Sequence, residues 1–264
     1  MLFSLILPGQ LQAENMTWCA YFNWKPWIYL TSQGEHAGIL IDQLSLFQQI
    51  NPSITVTLKF IDNWKRCQAE VASGKISFIL GANKTPEREK KFDYLPEPSF
   101  LNHSSMLAYS ALNNDKIQKI HSLNDLKRYR LAMVRGNSYG DTLDTFIKTL
   151  ENDQVGEVSS QGQILKLVSI KRYDYFLLPA GTLATTIKKY QQAFPTLSSH
   201  QFRVIYEIPR ATPVYIVFGK NTGNYEKYAE QWLSTLKAYY SSVNFDDEVR
   251  RHQNTNGQLG SKTK

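Results

Sequence analysis

The chain has 264 residues, of which 42% are hydrophobic and 20% charged, a composition that supports a soluble globule with one large core or two of ordinary size. Its 30 basic and 23 acidic residues give a net charge of +7, spread along the chain except for clusters at residues 84–91 and at Lys171-Arg172. No Lys-rich or Arg/Gly-rich tail appears, so a nucleic-acid partner is not expected, and the charge implies only solubility and a mild pull on anions.

Residues 1–14 begin Met1-Leu2-Phe3-Ser4-Leu5-Ile6-Leu7 and end near Leu11-Gln12-Ala13. This resembles the apolar and cleavage regions of a secretory signal, although the basic residues usual ahead of such a run are not there. The alternative is a buried N-terminal strand. No later apolar run approaches the length of about 18 residues that a membrane span needs. Thr17-Trp18-Cys19-Ala20-Tyr21 then reads as a strand. A loop with Trp24 and Trp27 follows, kept from helix by Pro26, and Gly34 turns a hairpin. Gly38 leads into a helix with Leu44, Phe47 and Ile50 at helical spacing. Residues 54–61 alternate as a strand, and Asp62 or Asn63 caps a helix that Gly74 ends.

Ile76-Ser77-Phe78-Ile79-Leu80 reads as a buried strand ending at Gly81, and Thr85-Pro86 as the cap and first residue of a short helix. A strand is expected at residues 104–109, and the polar stretch 111–119 reads as a boundary. A second series of alternating elements follows, with strands near 131–134, 155–158 and 173–178 and helices near 141–150, 161–170 and 181–190. Residues 202–208 look extended until Pro209 and Pro213 interrupt them, and 214–218 form another strand. A long amphipathic helix carries Tyr228, Trp232, Leu236 and Tyr239 on one face, and a last helix runs over 246–252. The alternation argues for α/β sheets with parallel strands.

The turn Gly81-Ala82-Asn83-Lys84-Thr85-Pro86-Glu87-Arg88 breaks a local rule. A helix start favours acids, because its N–H groups are unpaired and its dipole end is positive, yet Lys84 and Arg88 sit in or beside the first turn. A bound carboxylate would satisfy the N–H groups and be gripped by Arg88 together. A surface pairing of Arg88 with Asp93 or Glu97 explains the same residues.

Gly136-Asn137-Ser138-Tyr139-Gly140 matches G-x-S-x-G between a strand and a helix, and Asp174 and His200 follow in hydrolase order. The other reading is a glycine-bounded turn that presents Asn137, Ser138 and backbone N–H groups to a ligand. The histidines at 36, 103, 121, 200 and 252 lack metal-ligand spacing, and no C-x-x-C, P-loop or dinucleotide fingerprint occurs, so no metal and no cofactor are expected. Trp24, Trp27 and Trp64 lie in loops or helix starts, where they serve packing or wall a ligand. In an exported chain Cys19 and Cys67 can pair; the alternative is two buried free thiols.

Taken in order, these pieces resemble the bacterial extracellular solute-binding proteins of family 3, the amino-acid-binding type of the ABC transporters. The likeness runs over about residues 17–250. It rests on Pro26, Gly38-Ile39-Leu40-Ile41-Asp42, Gly74-Lys75-Ile76-Ser77 and Thr85-Pro86-Glu87-Arg88. It rests further on Ser122-Leu123-Asn124-Asp125-Leu126, Gly136-Asn137-Ser138 and Lys171-Arg172-Tyr173-Asp174.

The resemblance implies a two-lobed periplasmic binding protein fold of type II, each lobe a mixed, mostly parallel sheet flanked by helices. Residues 15–110 with 209–252 would form the first lobe, 111–208 the second, and 253–264 a disordered tail. The lobes would close on a ligand by a hinge. It implies that Arg88 of the Thr85 turn binds a ligand carboxylate, that Trp24 stacks on the ligand, and that Gly81 and Asn83 add polar contacts. Asn137, Ser138 and Tyr139 would contribute from the second lobe, with Trp64 as a further wall. Where relatives carry the acid that holds an α-amino group, this chain has Pro179, and where an acid follows Gly-Lys-Ile it has Ser77. Glu207 or Asp174 could replace that acid. The expected protein is a monomeric, exported, non-catalytic binder of a small carboxylate that serves an ABC permease or a membrane sensor. The alternatives are an enzyme on the same scaffold, a serine hydrolase through Ser138 or a dehydratase, and a degenerate lobe pair that only recruits a protein.

Overall fold

A computed structural model describes residues 14–254 apart from 21–23, 32, 62 and 210. The signal-like stretch up to Ala13 and the tail beyond Asn254 lie outside the described residues. Two ends of those expectations shift: Glu14 opens the first strand, and Gln253 and Asn254 finish the last helix.

The first series comprises β1 (Glu14–Ala20), β2 (Tyr29–Leu30), β3 (His36–Ala37), α1 (Ile39–Ile50), β4 (Ile54–Phe60), α2 (Trp64–Ala72), β5 (Phe78–Asn83), α3 (Pro86–Glu89), β6 (Phe92–Tyr94) and β7 (Phe100–Asn102). The second comprises β8 (Met106–Ala111), β9 (Leu131–Val134), α4 (Asp141–Lys148), β10 (Val155–Val158), α5 (Gln161–Ser169), β11 (Tyr175–Pro179), α6 (Leu183–Tyr190) and β12 (Phe202–Ile208). The chain then returns through β13 (Thr212–Gly219), α7 (Tyr225–Ser242) and α8 (Phe245–Asn254).

One sheet has the order β4-β1-β5-β13-β6 with β7 also on β13, and the other the order β10-β9-β11-β8-β12. Both sheets are mixed. β1 runs parallel to β4 and β5, while β13 is antiparallel to its neighbours. β9 runs parallel to β10 and β11, while β8 is antiparallel to β11 and β12. The chain crosses between sheets twice, after Asn102 and after Ile208. These crossings run side by side, since Asn102 pairs with Thr212 and Met106 pairs with Ile208. Sheet membership therefore changes ahead of the 110/111 division read from the sequence. The polar stretch that suggested that division is a turn packed onto the second sheet. There Arg203 donates to the carbonyls of Asn114 and Ile117, and Asn114 Nδ2 donates to Ser110 Oγ.

Leu44 and Phe47 of α1 are buried, whereas Ile50, read as part of the same face, is 43% exposed. The face of α7 that carries Tyr228, Trp232, Leu236 and Tyr239 is buried with Phe47, Phe78 and Phe218. The Phe47 and Trp232 rings stack at 4.1 Å. Gly38 caps α1 at φ 125°, where a Cβ would stand 2.4 Å from the Trp27 carbonyl oxygen, so only glycine fits. Asn63 caps α2 by accepting from the Arg66 N–H, while Asp62 lies outside the described residues. Cys19 of β1 and Cys67 of α2 form a disulfide that ties this helix to its sheet. Residues 123–128 form a 3-10 turn closed by a Ser122–Asp125 capping box.

The strand expected to stop at Gly81 continues to Asn83. Gly81 has φ 96°, and the pairing of β5 with β13 shifts register between Tyr215 and Ile216. Gly81 is thus the extra residue of a bulge, which lets the strand bend without ending. The consequence is functional: Asn83 is carried on a strand end, directly before the Thr85 turn.

Candidate functional site

A cavity of about 80 Å³ lies between the two sheets. Trp24, Trp64, Gly81, Asn83 and Arg88 line it from the first sheet's side, and Asn137, Ser138, Tyr139 and Pro179 from the second. Of the residues expected to touch a ligand through the resemblance, only Thr85 is not part of the lining. Its side chain closes the turn instead, accepting the Arg88 N–H at 3.3 Å as the N-cap of α3.

That cap fixes the arginine. Arg88 is only 7% exposed, and its guanidinium lies 5.4 Å from the Trp64 ring centroid. Nη1 donates to the Asn83 carbonyl at 2.9 Å, and Nη2 donates to the Gly136 carbonyl of the facing turn at 3.1 Å. The surface pairing with Asp93 or Glu97 does not form; it is Lys84 that pairs outward, with Glu89 at 3.0 Å. Burial pulls the Arg88 guanidinium below its ordinary value, opposed by Tyr94, Asp144 and Glu87. Tyr94, whose hydroxyl donates to the Asn83 carbonyl, is itself pushed up to about 12 by burial.

The facing turn is organised by a residue that the sequence reading missed. Asp144, one turn into α4, accepts from Ser138 Oγ at 2.5 Å and from the Tyr139 N–H at 2.8 Å. Its signal was available, because an acid in a first helical turn is well placed to cap the preceding loop. Asn83 Nδ2 reaches across the cavity to the Ser138 carbonyl at 3.0 Å, and Gln68 Nε2 to the Gly136 carbonyl at 3.3 Å. Gln68 was missed as well, since its helix gives no sequence sign of which residues face a neighbouring sheet. Asn102, Met106, Gln161, Ile164 and Leu178 also line the cavity, the last two supplying apolar wall. Tyr139 is buried in the second core as well as lining the cavity, and burial holds its hydroxyl well above the ordinary range.

The hydrolase constellation does not assemble. Ser138 follows the C-terminal end of β9, whereas Asp174 precedes the parallel strand β11 and accepts the Arg130 N–H at 2.9 Å ahead of β9. The serine and the aspartate thus sit at opposite ends of the sheet, and His200 is exposed in a separate turn. The two candidate replacements for a missing acid fail for similar reasons. Asp174 is held by Arg130, and Glu207 is exposed on β12. Ser77 lies at the Thr17 strand, with its Oγ accepting the Thr17 N–H, and is not part of the lining. Trp27 stacks on Phe100 at 3.8 Å within the core rather than walling the cavity.

No curated protein sequence matches the chain. Among solved structures, a histidine kinase sensor domain with similarity to periplasmic binding proteins superposes with a TM-score of 0.69 at 11% identity, over 92% of this chain and 97% of that one. The substrate-binding protein of an amino acid ABC transporter gives 0.66 at 16% identity, over 90% and 98%. An arginine-, lysine- and histidine-binding protein from the thermophilic bacterium Geobacillus stearothermophilus gives 0.64 at 14% identity, over 90% and 94%. At these identities the likeness shows the two-lobed fold. The family model for bacterial extracellular solute-binding proteins, family 3, matches residues 16–238, and the chain belongs to that family.

Proposed function

We propose that this protein captures a small carboxylate-bearing molecule in the cavity between its sheets and presents the closed form to a membrane partner. The observation that carries the reading is the buried Arg88 guanidinium, whose side-chain hydrogen bonds go to two neutral carbonyls. A buried cation with only neutral acceptors is poorly compensated, and a carboxylate accepts from the guanidinium fork bidentately. Asn83, Asn137 and Ser138 would orient the guest, with Trp24 and Trp64 against its body. Gly81 leaves room for Trp24, since a Cβ there would stand 3.2 Å from that ring.

The lobes of this reading are residues 14–102 with 212–254 and residues 106–208, following sheet membership. The paired crossings between them form the hinge. The family is extracellular, and no helix among the described residues is long and apolar enough to cross a membrane. Export to the periplasm, a monomeric state, and delivery to an ABC permease or a sensor domain complete the proposal. No catalytic step is assigned. A thermal-shift screen of small carboxylates at neutral pH tests it: at least one should raise the melting temperature of the wild type and leave Arg88→Ala unmoved. Stabilisation of both proteins alike by every active compound would remove Arg88 from the reading.

A further inference from the structure

The charges around the cavity are one-sided. Among the described residues, its lining holds one guanidinium and no carboxylate; the other polar side chains are neutral amides, a serine and a tyrosine. Asp144 serves the second-sheet turn from behind the lining and is not itself part of it. Its Oδ2 accepts a hydrogen bond from the Ser138 hydroxyl and its Oδ1 one from the Tyr139 N–H, both inside that turn. Ser138 Oγ donates to Asp144 and itself accepts from Asn83 Nδ2 and the Gly140 N–H, so its hydroxyl is engaged within the turn. The apolar part of the lining on the second-sheet side is built from Val134, Ile164, Leu177, Leu178 and Pro179, with no acceptor in any of these side chains.

Such a lining compensates an anion and leaves a cation stranded. A carboxylate meets Arg88, which has five N–H donors and spends two of them on carbonyls. An ammonium carried beside that carboxylate would leave water for a wall of methyl groups and neutral amides. Removing an ion from water without an opposite charge is strongly unfavourable. The guest's body, by contrast, finds apolar surface on the second sheet and the rings of Trp24 and Trp64.

Resting on the carboxylate reading above, we infer that the cleft selects carboxylates with an apolar body and no α-ammonium group, and rejects the corresponding α-amino acids. The guests are therefore organic acids rather than zwitterions.

Matched pairs that differ only in the ammonium group test this. They are 4-methylpentanoate against leucine, 3-phenylpropanoate against phenylalanine, and butanoate against 2-aminobutanoate. Each is titrated calorimetrically into the full chain at neutral pH. At least one deaminated member should bind, roughly 100-fold more tightly than its amino acid. Pro179→Asp, which places an acid in the lining of the cavity, should narrow or reverse the preference, with its melting curve reported beside the titration. Asp62 precedes α2 and lies outside the described residues, so Asp62→Asn is titrated in parallel. Equal or tighter binding of the amino acids overturns the inference. If Arg88→Ala abolishes that binding, the carboxylate reading survives, and if Asp62→Asn abolishes it, Asp62 is the ammonium partner. Failure of every compound to bind overturns the inference and counts against the carboxylate reading as well.

Discussion

Replacing Arg88 with alanine should separate binding from folding, and the reason lies in how its two acceptors are shared. The Asn83 carbonyl also accepts from the Tyr94 hydroxyl at 3.2 Å, and the Gly136 carbonyl also accepts from Gln68 Nε2 at 3.3 Å. Neither is orphaned when the guanidinium is removed, so the large penalty for a buried unsatisfied carbonyl does not arise. What the fold loses is the contact with Trp64 and those two hydrogen bonds, offset by no longer burying a cation, for a net cost of about 1–2 kcal/mol. What the ligand loses is a bidentate clamp. Two charge-assisted hydrogen bonds at about 1.5–3 kcal/mol each come to about 3–6 kcal/mol, or roughly a 10²–10⁴-fold loss of affinity. Arg88→Lys keeps the charge but not the planar fork, and should fall between the wild type and alanine. Calorimetric titration with a carboxylate found by screening, read beside thermal melts of all three proteins, gives both quantities. A well-folded Arg88→Ala protein with affinity within threefold of wild type would refute the clamp. An unfolded one would show that the guanidinium is a strut and that the sharing of acceptors was misjudged.

The disulfide closes a sequence separation of 48 residues, worth about 4 kcal/mol in the chain-entropy account. Cys19→Ala/Cys67→Ala should lose close to that in chemical denaturation, and a loss below about 1 kcal/mol would contradict it. Gly140 caps α4 at φ 96°, and a Cβ there would meet Thr212 Oγ1 at 2.8 Å. Gly140→Ala should therefore cost at least about 1 kcal/mol of stability and weaken ligand binding with it, since Ser138 and Asp144 share the turn; unchanged melting and affinity would show the turn to be plastic. A serine-reactive phosphonate should leave Ser138 unmodified by intact mass, because neither Asp174 nor His200 reaches it; an adduct at Ser138 would restore the hydrolase reading.

Much of the fold was legible because its signals are local. Capping residues, positive-φ glycines and apolar runs marked most helices and strands to within a few residues. Three features were not local. The bulge at Gly81 extends a strand that the glycine seemed to end, and it exists only because β13 pairs alongside. Short β6 and β7 draw their order from that same strand, not from any apolar run of their own. The polar stretch 111–119 resembles a linker in composition, yet the carbonyls of Asn114 and Ile117 are held by Arg203 from a strand nearly ninety positions away.

The site divides along the same line. Arg88 was legible as a conflict, a cation placed where a helix start disfavours one. Where the resemblance implies an acid, the sequence has Pro179, which the structure places in the lining of the cavity. Asp144 was legible only as an acid in a first helical turn, and Gln68 was not legible, because its contact with the Gly136 carbonyl depends on two crossings that bring sheet ends together. The contact between Asn83 and Ser138 spans 55 residues and has no spacing signature. On the reading proposed above, that geometry links charge to closure. Opening the lobes would part the guanidinium from the Gly136 carbonyl and return it to water, while closing them buries it against acceptors too weak to repay its desolvation. An anion repays it in the closed form only. A guest's negative charge therefore does more than add affinity: it is the term that differs between open and closed states, and so the one that can shift their populations.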